Sequence, residues 1–441
     1  MAGGSIASGF LGLAPGHQVL TPMHGSAFAT ADVVVVGAGS AGCLAAERLS
    51  RDSDRQVLLL DAGPAAFPEW EQTRLDRLPI SPGAPRTVRF PELRGRDVVR
   101  GGGLGGSSTI NGGYFLRGHR HDYDSWPYPQ ARIDAVLDEL DGGDAGGGAM
   151  SVSAFDDAEL GSVASAFDAY WRRRGPASDG GAWPIIGLNR VRSNRADGGR
   201  FTAADAFLAE PRPNRRVIGG AAVTEIVVRG GRASGVQTAR GRVDAGTVVL
   251  AAGTLGSAAL VLPIIGGELT VFEHAERLVR FRPRREVTAP ALLQTVLHTE
   301  NRLEIRCYGN DFAAFIDGVP AAGIPIGVAD MGTGVVGTLR WDGALQVDLG
   351  EPDAASYTRI DAGVGIVEAM LAAPDFADLV EPGSVTVDPT FGLSSHAWGA
   401  LATAPRIDGL TVVDGSVLAS PLRSGPHLSV MAGAALIVEQ L

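Results

Sequence analysis

ADVVVVGAGSAGCLAAERLS, residues 31–50, is the stretch on which the fold turns. Four successive valines suit a strand buried on both faces, the glycines at 37, 39 and 42 suit a turn, and the residues after them carry apolar side chains at helical spacing. RQVLLLDAGP, residues 55–64, is a second buried strand and ends in a carboxylate at Asp61. Strand, glycine turn, helix and strand together make a βαβ unit of about 30 residues, the length that a parallel crossover needs. In such a unit the first glycine permits the tight turn, the second lets backbone approach a pyrophosphate, and the third lets helix pack on strand. The phosphates then lie at the positive end of the helix. Gly37, Gly39, Ser40, Ala41 and Gly42 are therefore expected at a dinucleotide, with Asp61 and Ala62 at its ribose. An ordinary strand-to-helix turn does not require all these features at once. The fingerprint does not by itself tell a flavin from a nicotinamide dinucleotide.

Outward from this unit, RGGGLGGSSTINGG (residues 100–113) holds too much glycine for a helix or strand interior and reads as a loop ordered by its flanks. Residues 215–253 alternate β-branched runs with glycine turns. They read as a small antiparallel meander, turned at Gly230-Gly231, that feeds a last buried strand over 247–252. Residues 263–389 have fewer glycine clusters, and strand-like runs such as NRLEIRCYG suit a separate antiparallel sheet. GLTVVDGSVLAS returns to the earlier style, and PHLSVMAGAALIVEQL, residues 426–441, is a helix apolar nearly all round and hence buried.

The net charge of −11 argues against a nucleic-acid binder, which needs a basic footprint. Every fixed cation is arginine. Cys43 and Cys307 stand alone in sequence, so neither a disulfide framework nor a metal site is expected. The first 30 residues lack the basic start of a secretory signal, and no apolar run reaches membrane-spanning length. They read as an extension, with Met23 as another possible start. A cytoplasmic protein follows, with peripheral contact to the inner face of the membrane left open by the arginines of 277–285.

RGGGLGGSSTINGGYFLRGHRHDYDSW, residues 100–126, resembles a signature of the glucose-methanol-choline (GMC) oxidoreductase family. The resemblance implies that this loop packs on FAD, which places Gly102, Gly103, Gly106, Ser107, Asn111, Gly112 and Gly113 around the cofactor. VIGGAAVTEIV resembles the family's adenine-contacting strand and implies a backbone contact from Val223. LAAGTLGSAALVL resembles its AG-containing region, carried by Ala252, Gly253 and Gly256. The closing segment resembles the family's last flavin segment, with Asp414 and Gly415 near the ribityl chain and His427, Leu428 and Ser429 beside the ring. His396 in SSHAWGAL matches the histidine of the family's HxxG pattern, and His427 in GPHLSV its second active-site position. Within the family, YFLRGHRHDYDSW and the GPH ending look most similar to the mycofactocin-associated branch.

The resemblance implies a discontinuous Rossmann-type FAD-binding domain in an α/β protein, with a smaller α+β substrate domain on an antiparallel sheet. The cofactor domain would take residues 31–130, 195–262 and 390–441, and the substrate domain 131–194 and 263–389, after an extension over 1–30. The implied activity is FAD-dependent oxidation of a CH–OH donor, with hydride passing to flavin N5. A neutral imidazole is the natural base near pH 7, and His427 is expected in that role with His396 orienting the substrate. The donor would be a small-molecule alcohol or a reduced, peptide-derived redox cofactor of the mycofactocin type, and a respiratory or other acceptor would take the electrons. The connection after HAWGALATA is shorter than the family's, which also admits a non-catalytic flavin electron-transfer subunit. An NAD-dependent dehydrogenase would leave the second glycine cluster without a use. His119 and His121, two residues apart, make a poor metal site and suit a solvated turn.

Overall fold

A computed structural model describes residues 30–332 and 334–441. The extension expected over 1–30 lies outside the described residues except for Thr30. The strand Thr30–Val36 forms where the valines predict it, with Val33 to Val36 buried. The helix Ser40–Leu49 follows and then the strand Val57–Leu60. These strands pair in parallel, Val33 opposite Val57 and Val36 opposite Leu60, so the βαβ unit is present as read.

Six strands lie in order in the first sheet: Arg215–Ile218, Val57–Leu60, Thr30–Val36, Gly241–Leu250, Arg232–Thr238 and Val223–Arg229. A seventh, Leu410–Val412, pairs in parallel with Gly241–Leu250. The first four strands are mutually parallel, and the other two complete the antiparallel meander. Gly230 (φ 57°) and Gly231 (φ 81°) supply the two positive φ angles that its tight turn needs. The meander strand Gly241–Leu250 is longer than the sequence suggests, because the same residues pair with Arg232–Thr238 on one side and with Thr30–Val36 on the other. One face of the sheet packs on Ser40–Leu49, Gln130–Asp141 and the closing helix His427–Val438, through Leu44, Ile133, Leu137, Met431 and Ala435. That is why the closing helix is apolar nearly all round.

The second sheet is antiparallel over most of its width, in the order Thr386–Val387, Ala275–Phe281, Ile324–Asp330, Leu303–Tyr308, Leu293–His298, Gly187–Arg190 and Ala177–Ser178. The helices Ser162–Arg172 and Ala354–Leu371 cover it. A three-stranded sheet, Glu268–Glu273, Val335–Trp341 and Leu345–Asp348, packs instead on the other face of the first sheet, where Leu269, Val271, Leu339 and Val347 share a core with Leu58 and Leu250. Segment 263–389, read as one substrate domain, is thus divided between two cores. Gln130–Asp141 likewise packs with the first sheet although most of it falls in segment 131–194. Hydrophobic periodicity announces burial and does not say against which sheet.

Candidate active site

The two glycine loops are stitched directly together. Gly106 (φ 52°) lies so close to the first loop that a Cβ there would stand 2.6 Å from Gly39 Cα. Gly105 N–H donates to the Ala38 carbonyl (2.9 Å). Asp61 binds both loops, its Oδ2 accepting from Ala38 N–H (2.7 Å) and its Oδ1 from Gly63 N–H (2.7 Å) and Gly103 N–H (2.9 Å). A carboxylate offers about four acceptor positions. Asp61, expected at a ribose, spends three of them on backbone and is first of all a brace.

Within the first loop the glycines differ. At Gly42 a Cβ would lie 1.8 Å from the Gly37 carbonyl oxygen, and at Gly37 2.5 Å from that of Ala251, so both are demanded by packing. At Gly39 a Cβ would meet nothing within 4 Å, and the same holds for Gly253 (φ 74°) at the start of the helix Gly253–Ile265. Backbone is therefore left bare at the N-termini of two helices, facing open space, which suits a dinucleotide laid across them. Ser107 accepts from Gly101 N–H (3.0 Å), and Asn111 turns its carbonyl oxygen to Gly113 N–H (2.9 Å). Gly102 and Gly103 stay on the loop, and Gly112 and Gly113 lean on Leu292, Leu75 and Ser193.

Other expected cofactor residues turn inward. Asp414 is buried, which pushes its carboxyl up, and it accepts from Ser257 and Ser416. It fastens the Gly415 turn to the helix Gly253–Ile265 and does not reach into open space. Leu428 belongs to the core, and Ser429 shares a hydrogen bond with the Tyr123 hydroxyl (2.8 Å), so their side chains face away from any ligand. Ala41 is buried, Ala62 is exposed, and Val223 and Ala252 are half-buried. Sequence resemblance marks these positions, but only a backbone contact is open to Leu428.

The two expected histidines stand in different surroundings. His427 opens the closing helix and places Nε2 2.8 Å from Ser40 Oγ, with Nδ1 3.3 Å from Asn111 Nδ2 and its ring edge-on to Phe115. It bridges the two glycine loops, and its depth in the protein lowers its pKa to about 4. His396 lies elsewhere. Its N–H donates to Glu273 Oε1 (2.8 Å), and its Nδ1 faces His274 Nδ1 at 2.9 Å. Its Nε2 points toward Gly425, where an added Cβ would lie 3.8 Å from it and 2.9 Å from the Tyr114 ring. Depth in the protein, then His274, Arg306 and Arg100, hold His396 well below the usual histidine range, with Glu304 opposing, so it is neutral at pH 7.

Sequence reasoning did not find the wall beside His396. The Tyr114 hydroxyl donates to Glu304 Oε2 (2.6 Å), which also takes His298 Nε2 (2.9 Å), while Arg306 Nε binds Glu304 Oε1 (2.7 Å). Arg306 reaches Glu276 (3.1 Å) and Ser394 (2.8 Å), and the Tyr308 hydroxyl binds Glu276 (2.8 Å). Burial alone would push Glu304 up, but Arg306, His298 and Tyr114 outweigh it and hold the carboxyl below its ordinary value. These groups sit on the two strands of the second sheet that flank Ile324–Asp330, at 276 on one and at 304, 306 and 308 on the other, and no local motif announces them. His119 belongs to the same network through His298 (2.8 Å) and is buried, against the reading of a solvated turn; His121 is exposed and does fit it. Of the five arginines expected to face a partner three are engaged, Arg277 with Asp361, Arg280 with Asp388 and Arg282 with Glu381, while Arg284 and Arg285 are exposed.

Residues 31–152 match the family model described as GMC oxidoreductase. A GMC-type oxidoreductase from the thcA 5' region of Rhodococcus erythropolis is 27% identical over 90% of this chain and 95% of its own length. Over residues 31–152 the chain resembles the GMC oxidoreductases. An oxygen-dependent choline dehydrogenase of Vibrio vulnificus is 31% identical, over 55% of this chain and 49% of its own, so that match spans about half of the relative. Among solved structures, pyridoxine 4-oxidase from Mesorbium loti superposes with a TM-score of 0.79 at 22% identity, covering 93% of this chain and 99% of that one. A formate oxidase variant of Aspergillus oryzae RIB40, made in work on its FAD modification, gives 0.75 at 16% over 93% and 98%. This is an FAD-binding α/β fold, and FAD is its cofactor. The bare backbone at Gly39 and Gly253 fits that group. No helix of the described residues is long and apolar enough to cross a membrane.

Proposed function

We propose that this chain is a GMC oxidoreductase and oxidises the CH–OH group of an alcohol with His396 as the base. The observation that carries the reading is the asymmetry of the His396 ring: Nδ1 is engaged by His274, while Nε2, near Gly425 and Tyr114, makes no hydrogen bond to the described residues. FAD, when bound, supplies the acceptor for the substrate's hydride. Gly37, Gly39, Ser40, Gly103, Gly106, Asn111 and Gly253 would hold it. His396, neutral at pH 7, accepts the hydroxyl proton at Nε2 while the Tyr114–Glu304 wall confines the alcohol from the side.

The base role expected of His427 passes to His396 because both nitrogens of His427 already face Ser40 and Asn111, on the cofactor loops. His427 instead ties the two loops together and positions what lies between them. For substrate class, the similarity to a choline dehydrogenase supports a small primary alcohol. A reduced cofactor of the mycofactocin type rests on the likeness of residues 114–126 to that branch, and the acceptor is proposed only as a carrier downstream of it.

Purified protein is expected to be yellow, with oxidised-flavin absorbance at roughly 450 nm. Anaerobic mixing with choline, pyridoxine, benzyl alcohol and reduced mycofactocin identifies which of them bleaches it. His396→Gln should slow that bleaching by about 100-fold or more while leaving FAD bound. Unchanged bleaching in His396→Gln would end the assignment, and bleaching only when a partner protein is added would favour an electron carrier instead.

A further inference from the structure

His274 meets the nitrogen of His396 that does not take the substrate's proton. It lies between the strands Glu268–Glu273 and Ala275–Phe281, is 2% exposed, and stacks at a tilt over Trp398, ring centroids 4.4 Å apart. It meets the His396 ring edge-on at 5.2 Å and an interplanar angle of 86°, Nδ1 against Nδ1 at 2.9 Å. One carboxylate fixes both histidines from below. Glu273 Oε1 accepts the N–H of His274 (2.9 Å) and of His396 (2.8 Å), and Oε2 that of Ala397 (2.9 Å). The two imidazoles are therefore held by their backbones and by their facing nitrogens together.

A hydrogen bond between two imidazole nitrogens holds one proton, and its position decides the chemistry. With that proton on His396 Nδ1, the Nε2 of His396 carries a lone pair. With it on His274, the proton of a neutral His396 must sit at Nε2, and the ring offers no base toward Gly425. The charged groups about the pair are Glu273 below, Arg100, Arg306 and Glu304 around His396, and Arg306, Glu304 and Asp330 around His274. Glu304 and Asp330 favour protonation of His274, and Arg306 opposes it. His274 Nε2 is buried with no protein partner, and a neutral His274 that accepts at Nδ1 carries its own proton there.

We propose that His274 is a positioning residue, which accepts the Nδ1–H of His396 and so holds the one tautomer whose Nε2 can take a proton. The inference rests on the base role of His396. In the step it serves, the substrate O–H bond breaks and an N–H bond forms at His396 Nε2. The bonding pair stays on the substrate oxygen, and the new imidazolium keeps its Nδ1–H on His274. Glu273, His274 and His396 also bring one potential metal-ligand atom each within 4.8 Å. A cation fits less well, because both Glu273 oxygens already hold backbone N–H groups and one proton satisfies the line between the nitrogens.

The test is histidine-selective ¹⁵N NMR of the full FAD-loaded chain, with His396→Gln to assign the resonances. His396 is expected protonated at Nδ1 and bare at Nε2. His274→Phe, which keeps a ring over Trp398, should release His396 to carry its proton at Nε2 and slow anaerobic flavin reduction about 100-fold, with substrate affinity and FAD content within two-fold. His274→Asn, whose side-chain oxygen can accept, should recover most of the rate. A wild-type spectrum with the proton at Nε2, full activity in His274→Phe, or a stoichiometric metal lost in both His274 variants would each overturn the proposal. If His396→Gln reduces flavin normally while the tautomer is as expected, the base role fails and the pairing stands. Should His274→Phe not fold, the wild-type spectrum and His274→Asn still decide.

Discussion

At the scale of single residues, two glycines of the same motif have opposite reasons to be glycine. Gly42 is glycine for packing: a methyl group there would be driven into the Gly37 carbonyl, and helix Ser40–Leu49 would have to leave the sheet. Gly39 has an ordinary negative φ of −73° and space around its missing Cβ, so nothing in the protein forbids a side chain. On the proposed reading, a dinucleotide laid over this turn is what would forbid it. Gly39→Ala is therefore expected to leave the melting temperature of the flavin-free protein unchanged within about 2 °C and to weaken FAD binding by ten-fold or more, since one methyl group blocks the close backbone approach. Gly42→Ala should lower that melting temperature or abolish folding. Titrating FAD into the two flavin-free variants and melting each separates these effects. Equal affinity in Gly39→Ala and wild type would mean that the phosphates do not lie over this turn.

At the scale of elements, legibility follows how local the information is. The βαβ unit is readable because its valines, glycines and Asp61 lie within about 30 residues and each answers a local demand. The second sheet is not, because Gly187–Arg190 finds its place beside Leu293–His298 across a hundred residues, and alternation gives no partner. The same limit hid the active-site wall: Glu276, Glu304, Arg306 and Tyr308 meet only when three strands pair. His396 was visible through a family pattern, while His274, one residue before a strand, carried no signal of its own. The arginine run of 277–285 shows the converse, a pattern conspicuous in sequence in which three of five charges, Arg277, Arg280 and Arg282, are answered by Asp361, Asp388 and Glu381 once the chain is folded. Arg280 is the least exposed of the three and makes two hydrogen bonds to Asp388. Arg280→Ala should cost at most about 1 kcal/mol in urea unfolding, and neither it nor Arg282→Ala should change flavin reduction. Binding to anionic vesicles that both substitutions remove would restore the docking role.

Across the whole molecule, four histidines from separate parts of the chain share one property. His119 and His274 are lowered to about 3, His427 to about 4 and His396 well below its usual range, each first of all by desolvation. In the unfolded chain they titrate near 6.5. Between pH 6.5 and about 4 the unfolded state therefore binds protons that the native state refuses, and stability must fall as pH falls through that window. Above 6.5 the contribution is complete and flat. Each histidine adds a slope of up to about 1.4 kcal/mol per pH unit. Raised acids act in the opposite sense: Asp122, Glu273 and Asp414 take up protons in the native state before they do in the unfolded one, so the contribution of a histidine is isolated by comparing wild type with a variant that lacks it. Urea unfolding at saturating FAD, which keeps the ligand's mass-action term fixed, should show stability level from pH 8 to 7 and then declining to 5.5. His427→Asn keeps a polar group between Ser40 and Asn111 and cannot titrate there, so its decline should be shallower than that of wild type. Identical slopes would mean that His427 takes up its proton in the native protein as readily as in the unfolded chain. Its ring would then be solvated and not shut between Ser40 and Asn111, and the link between the two glycine loops would have to be sought in backbone alone.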